Sequence, residues 1–337
     1  MPTAEQAGPR PTMRDVAREA GVSKALVSIV FRGSAGASEE SRRRVFAAAD
    51  RLGYRPNRTA SMLALRRTRQ LGVVADLHNW FHAEIVDAIL TAAERDHYQV
   101  VLTPWTARHS EERAIEAALE FRCEALVLVG SQLEGAAVRT LVDDTPVISV
   151  GRALDIAEAD VVRCSDRAGI ELVVEHLVTL GHRRIAHIDG GGGAISADRR
   201  DGFTEGMRRH ELLDQAIVVP GGRTEEGGRL GATELLRTVP RPTAVVAFND
   251  SCAVGAMEQL GAAGVRVPDE ISVTGYDDSA LARLRTIDLT SVRQDADALG
   301  RWAVSAAIER LDHGRTRARE AVLLPQLVVR SSSLPTR

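Results

Sequence analysis

Lysine is almost missing from this chain: Lys24 is the single lysine among 43 basic residues, so arginine carries the positive charge. Aromatic residues make up only 4%, and cysteine occurs three times, at Cys123, Cys164 and Cys252. Three thiols, odd in number and far apart, argue against a disulfide framework or a zinc ligand set and for reduced, buried cysteines. No apolar run approaches the ~20 residues of a membrane span. The opening MPTAEQAGPRP has no hydrophobic stretch of the kind a signal peptide carries. The expected location is the cytoplasm. No repeat of solenoid period is present, and residues 1–11 are read as a disordered extension.

What is there begins at Thr12. Thr12 and Asp15 stand in T-x-x-D spacing, so a helix is expected from Met13, with Val16, Ala17 and Ala20 on one face and Gly21 ending it. Ser23 then caps a second helix with Val27 and Val30 inward, which makes a helix-turn-helix. A third helix follows Ser38, burying Val45, Phe46, Ala49 and Leu52 before Gly53. The next segment, YRPNRTASMLALRR, is too short and basic to fold alone. Asn57 can cap a helix there with Ala60, Leu63 and Ala64 on one face, formed only when something holds it.

Charge names the partner of this head. Residues 1–67 hold thirteen basic and six acidic residues, a surplus of seven, whereas the whole chain is at −3. A basic helical head on an acidic body fits an anion-binding module, and duplex DNA is the anion that matches a helix-turn-helix.

From Leu71 the pattern changes to short apolar runs alternating with amphipathic helices: LGVVADL, QVVLTPW, ALVLVG and VISVG, then RIAHIDG, AIVVPGG, AVVAFND and ISVTGYDD after Asp166. Such alternation predicts parallel strands with right-handed helical crossovers, here two successive units. The expected fold is a small all-α head plus an α/β body of two doubly wound parallel-sheet lobes, with a ligand cleft outside the carboxyl ends of the strands.

The ordered motifs RDVAREAGVS, SEESRRRV, LGYRPN, LGHRRIAHI, R-x-x-G-F at Arg199 to Phe203, AFNDSCAVGAM, GVRVPDEISVTGYDD and TSVRQ resemble those of the lactose repressor and galactose repressor family of transcriptional regulators, over about Thr12 to Ser332. The resemblance implies a bacterial regulator, nucleoid-associated when bound, whose body is built like a periplasmic sugar-binding protein. Expected boundaries are 12–55 for the DNA-binding domain, 56–68 for a hinge helix, and 69–332 for the body. Within the body, one lobe takes about 69–164 and 296–323, the other about 165–292 and 324–332.

By that resemblance the second helix enters the major groove of a palindromic operator. Lys24 can donate to guanine, Ala25 and Ile29 can touch a thymine methyl, and Ser28 lies one turn on. The family's S-x-x-T-V-S-R-V reads SKALVSIV here, so Leu26 and Ile29 replace a Thr and an Arg. An operator half-site without the guanine that this Arg reads is the expectation. Thr12, Arg14, Ser23, Arg32, Tyr54, Asn57 and Arg58 complete the DNA-facing set, and Leu63, flanked by Ala60 and Ala64, is the expected minor-groove wedge.

In the body, the resemblance assigns Arg199, Asn249 and Asp277 to the effector. An Arg fork, an amide and a carboxylate supply donors and acceptors at the fixed angles that sugar hydroxyls require. The opposite wall is expected from the loop His78 to His82, with Asn79, Trp80 and Phe81 in it and Trp80 and Trp105 as stacking platforms, and Gln294 either contacts ligand or braces the crossover. Asp250 and Asp278 are expected to cap helices. His78 and His82 are four apart, but no third metal ligand is apparent, and no metal or cofactor is expected.

The functional expectation is a homodimeric, allosteric repressor responding to a small ligand, a sugar by preference. The chain ends at SSSLPTR without a leucine heptad, and the helices after Phe81 and Asn249 are candidate dimer faces. A nucleobase or nucleoside effector, a partner protein, or a binding protein without DNA function are the alternatives. An enzyme is disfavoured, because Asp189 to Gly193 (DGGGG) lacks both G-x-G-x-x-G spacing and a P-loop Lys, and neither G-x-S-x-G nor H-E-x-x-H occurs.

Overall fold

The computed structural model describes residues 11–31, 36–54, 67–142, 145–154 and 156–336. The chain divides into two compact units, 1–68 and 69–337.

The first unit contains α1 (Met13–Ala20), α2 (Lys24–Phe31) and α3 (Glu39–Leu52). The Thr12–Asp15 capping box is formed: the Asp15 N–H donates to Thr12 Oγ1 and the Thr12 N–H donates to the Asp15 carboxylate at 2.9 Å. Gly21 and Gly53 close α1 and α3 at φ +62°, a left-handed conformation that glycine adopts without Cβ strain. Leu26 N–H donates to Ser23 Oγ at 3.1 Å and Ser41 N–H to Ser38 Oγ at 3.2 Å, so both serines cap as the sequence suggests. Val16, Ala17, Ala20, Val27, Val30, Val45, Ala48 and Ala49 form the core. Phe46, expected inside, is 48% exposed and presents its ring edge-on to Phe31 at 5.8 Å. At ~100° per residue, positions 45, 48, 49 and 52 share one stripe and 46 falls off its edge, so Ala48 takes the inward place. The expected hinge helix at Asn57–Leu65, with Arg58, Ala60, Leu63 and Ala64, and also Arg32, lie outside the described residues.

The second unit holds two six-stranded sheets. The first uses β1 (Gln70–Asp76), β2 (Gln99–Trp105), β3 (Ala125–Val129), β4 (Val147–Val150), β5 (Asp160–Cys164) and β11 (Glu320–Leu323), in the order β11-β5-β4-β3-β1-β2. The second uses β6 (Ile185–Asp189), β7 (Ala216–Pro220), β8 (Ala244–Ala247), β9 (Ser272–Asp277), β10 (Thr290–Arg293) and β12 (Gln326–Val328), in the order β12-β10-β9-β8-β6-β7. Among the described residues every strand pairing is parallel except that of β10 with β12. The helices are α4 (Trp80–Arg95), α5 (Glu111–Glu120), α6 (Gly135–Val142), α7 (Asp166–Thr179), α8 (Ala194–Arg209), α9 (Glu225–Leu236), α10 (Asp250–Ala262) and α11 (Ala296–His313). Central strands such as β3, β4 and β6 are buried along their whole length; β3 accordingly reads as a continuous apolar run, while β4 and β6 carry Ser149, His187 and Asp189 into the interior.

The chain passes between the two sheets three times: from β5 into α7, from β10 into α11, and from β11 into β12. Asp160 ties the first lobe's returning segments to its early strands. Its buried carboxylate accepts from Arg310 Nε at 2.7 Å, both Arg315 terminal nitrogens at 2.8 and 3.0 Å, and the Arg319 N–H at 2.8 Å. Across the lobes, Glu84 on α4 accepts from the Ala280 N–H at 2.9 Å and from Arg283 Nη2 at 2.5 Å. Cys123, Cys164 and Cys252 are free and buried. Among the described residues, no helix is long and apolar enough to cross a membrane, and no group of His, Cys, Asp and Glu could hold a metal ion.

Candidate ligand cleft and nucleic-acid interface

In the head, the first turn of α2 presents Lys24 and Ala25, both exposed, with Leu26, Ser28 and Ile29 half-buried behind them. Thr12, Arg14 and Ser23 are also exposed. Not every arginine is available to an anion. Arg44 donates to the Ala20 carbonyl at 2.6 Å and so locks α3 against the end of α1, and Arg51 pairs with Glu19 at 3.0 Å. Tyr54 lays its ring on Phe31, 5.6 Å between centroids, against the head core.

In the body, a cleft of about 1040 Å³ including its mouth runs between the two lobes, at the carboxyl ends of the strands. One wall is formed by Asn79, Phe81, His82, Trp105 and Arg152, the other by Arg199, Arg223, Phe248, Asn249 and Asp277, with Gln294 at the crossing segment. Arg199 is held on all sides. It donates from Nε to Asp166 at 2.7 Å and from Nη1 to the Phe248 carbonyl at 2.6 Å, and Nη2 lies 3.6 Å from Asp277. Its guanidinium sits over the Tyr276 ring at 3.7 Å and the Phe248 ring at 4.6 Å, so cation–π contacts fix the plane of the fork. Burial opposes the Arg199 charge, but Asp166 and then Asp277 outweigh it and hold its pKa above the usual value. Burial in turn pushes the Asp277 carboxyl up to about 6, against the pull of Arg199 and the amide of Gln294, whose Nε2 donates at 2.7 Å. Asp277 also has φ +108°, a backbone strain of the kind found at binding sites.

Asn249 caps α10: its Oδ1 accepts from the Cys252 N–H at 2.9 Å, while Nδ2 donates to the Arg223 carbonyl at 3.0 Å. Asn79 caps α4 in the same manner, accepting from the Phe81 and His82 N–H groups. His82 accepts from the Asp76 N–H at 3.3 Å. Burial, helped by the nearby Arg223 charge, brings its pKa down to about 4, so the ring is neutral.

Three expectations need correction. Trp80 does not line this cleft: it is 53% exposed on a separate groove with Glu84, Asp87 and Arg293, because Asn79 caps the helix and turns position 80 outward while 81, 82 and 85 point in. Asp250 does not cap α10, since Asn249 does. Its buried carboxylate accepts from Ser279 N–H at 2.7 Å and Ser291 Oγ at 2.6 Å, and burial, with Asp277 nearby, raises its pKa to about 8. Asp278 caps nothing either and accepts from Arg293 and Arg330 at 2.7 and 2.6 Å. Arg152, Arg223, Asp166 and Phe248 also line the cleft and carry no motif that marks them as site residues in the sequence. The available signal was position: Arg152 and Arg223 both follow a glycine just beyond a strand's carboxyl end, where ligands of such sheets bind.

A helix-turn-helix unit carried on one chain with a two-lobed body that encloses a polar and aromatic cleft defines a ligand-responsive DNA-binding regulator. Comparison with known proteins places it further. Residues 12–57 match the bacterial regulatory proteins of the lacI family, and residues 174–333 match the periplasmic binding protein-like domain. The HTH-type transcriptional regulator GalR of Salmonella typhimurium is 35% identical over 331 residues, covering 96% of this chain and 97% of the relative. A LacI transcriptional regulator from a Rhodococcus species is 43% identical with a TM-score of 0.77, over 79% of this chain and 98% of that one. The Lac repressor dimer bound to operator and the anti-inducer ONPF is 28% identical with a TM-score of 0.84, over 97% and 100%.

The chain belongs to the lacI family. It is a helix-turn-helix transcriptional regulator with an effector-binding domain, and not an enzyme. Regulators of this family bind operator DNA and small-molecule effectors and dimerise.

Proposed function

We propose that this chain acts as a homodimer on a palindromic operator and that a sugar bound between the lobes sets its operator affinity. Arg199, Asn249, Asp277 and Gln294 hold the hydroxyls, and Phe81 and Trp105 supply apolar wall. The observation that supports this most directly is the pre-set fork of Arg199 beside Asp277 and Asn249: donors and acceptors already locked in place cost little to order when vicinal hydroxyls arrive. Lys24, Ala25, Ser28 and Ile29 face the major groove in this reading, with Thr12, Arg14, Ser23 and Tyr54 toward the backbone.

Binding would change how the lobes sit on one another, and with it the spacing of the two heads. A thermal-shift screen of sugars, nucleosides and nucleobases tests the reading, followed by operator binding with and without each hit. Arg199→Lys keeps the charge but loses the fork, so it should weaken a bound sugar about tenfold or more. A nucleobase that binds while every sugar fails, or an Arg199→Lys protein with unchanged sugar affinity, would sink the sugar assignment.

A further inference from the structure

Among the described residues three guanidinium groups face the cleft, and only Arg199 is ion-paired; the Glu111 and Asp76 carboxylates act on Arg152 and Arg223 from beyond ion-pair distance. Arg199 has Asp166 and Asp277; Arg152 and Arg223 form no ion pair among the described residues. Arg152 comes from the first lobe and is only 9% exposed. Its Nη2 donates to the Leu133 carbonyl at 2.5 Å, while its Nε has no hydrogen-bond partner. Arg223 comes from the second lobe, where its Nη2 donates to the Gly192 carbonyl at 3.0 Å. Burial lowers its pKa, and the Arg199 and Arg152 charges add to that effect against the opposing Asp76. Beside it, Gly193 stands at φ +100° as the N-cap of α8 without a side-chain cap, so the first turn of a sixteen-residue helix opens on the same space. A buried cation (Arg152) and a half-buried one (Arg223), each with unused donors, gain free energy from an anion. A helix N-terminus adds oriented N–H groups and the positive end of its dipole.

Building on the sugar reading above, we propose that the effector is an anionic sugar whose single phosphate or carboxylate is clasped between Arg152 and Arg223 at the start of α8. Its hydroxyls meet Arg199, Asn249 and Asp277. Because the two arginines belong to opposite lobes, the anion bridges them, and a neutral sugar of the same shape lacks that bridge.

The test uses the full chain and matched probes: aldohexoses, their 6-phosphates, their uronates, and inorganic phosphate, read by thermal shift and calorimetry. At least one 6-phosphate or uronate should bind about tenfold to a hundredfold more tightly than its neutral parent. Inorganic phosphate should raise the melting temperature of the body, and Arg223→Gln and Arg152→Gln should each remove both effects. Arg223→Gln is the safer variant, since Arg223 is less buried. The 6-phosphates and uronates separate the two kinds of anion. A neutral sugar bound at least as well as its anionic forms, with affinity unchanged in Arg223→Gln, overturns the anion site and leaves the sugar cleft standing. Binding of nucleobases alone overturns both.

Discussion

At the scale of single residues, the body spends its buried charge in two ways. Arg199 is compensated twice and stacked between two rings, so it is an anchor, whereas Arg152 and Arg223 keep donors in reserve. Histidine carries a different signal. His187 is fully buried, stacked on Phe203 at 5.4 Å, with Nδ1 hydrogen-bonded to the Val246 carbonyl at 2.9 Å and Nε2 without a partner. Burial brings its pKa down to about 4. An unfolded histidine titrates near ~6.5, so between those values the unfolded chain binds the extra proton and stability falls as pH falls. Asp250, raised to about 8, works in the opposite sense, because there the folded chain holds the proton. The difference between two proteins isolates the histidine: His187→Phe should lose less stability than wild type between pH 6.5 and 4, by up to ~1.4 kcal/mol per pH unit. Urea midpoints at a series of pH values would show it, and parallel pH profiles would refute it.

At the scale of elements, caps and buried pairs decide which segments are sharply bounded. Removing the Thr12 hydroxyl in Thr12→Ala should cost α1 about 1 kcal/mol, seen as faster hydrogen exchange of α1 amides, with β3 and β6 unaffected. Asp160 is the counterpart in the body, where β5, α11 and β11 meet. Burial alone would raise its pKa, but Arg315 and Arg310 outweigh it and hold it below the usual carboxylate value. Its contribution is therefore present above ~pH 4 and lost as pH falls through the lower folded value. Asp160→Asn leaves the largely buried Arg310 guanidinium without its acidic partner and Arg315 with Glu309 alone, and should lower stability by about 3 kcal/mol at pH 7 in chemical denaturation. A change under ~1 kcal/mol would mean that Glu309, which also pairs with Arg315 at 2.9 Å, carries the junction.

At the scale of the whole molecule, the charge division between head and body sets measurable limits. If the head grips phosphates, the logarithm of operator affinity should fall linearly with the logarithm of salt, with a slope near −0.9 per phosphate neutralised. Effector binding to the acidic body should be far less steep. Linkage fixes a second outcome: an effector that changes operator affinity by some factor must have its own affinity changed by operator by that same factor. Fluorescence anisotropy on labelled operator, paired with calorimetry of the effector, checks both, and unequal factors would rule out a closed two-site cycle. The Glu84 contact to Ala280 and Arg283 joins the two lobes close to the cleft, since Asn79 and Asp277, a few residues away on either side, both line it.

Much of this molecule was legible without coordinates, for local physical reasons. T-x-x-D at Thr12 and Asp15, and glycines at Gly21 and Gly53, mark helix ends whichever way the rest of the chain folds. The all-apolar run of β3 marks a strand covered on both faces. The direction of side chains was less secure. Trp80 and Asn79 are neighbours, and only the Asn79 cap on α4 decides that the tryptophan faces outward. Phe46 moved off the head core for a similar reason, one step around a helix. Pairing across long stretches of chain was not legible at all. Asp166 meets Arg199 and Asp277 only because α7, α8 and β9 converge, and Arg152 shares a cleft with Arg223 only because two sheets, joined by three strands of chain, face each other. Sequence alone determined the regulator's class, its elements and its basic head, since these rest on spacing and composition. The tertiary structure decided which charges cancel and which remain to meet a ligand, because cancellation depends on distances between residues that the sequence keeps far apart.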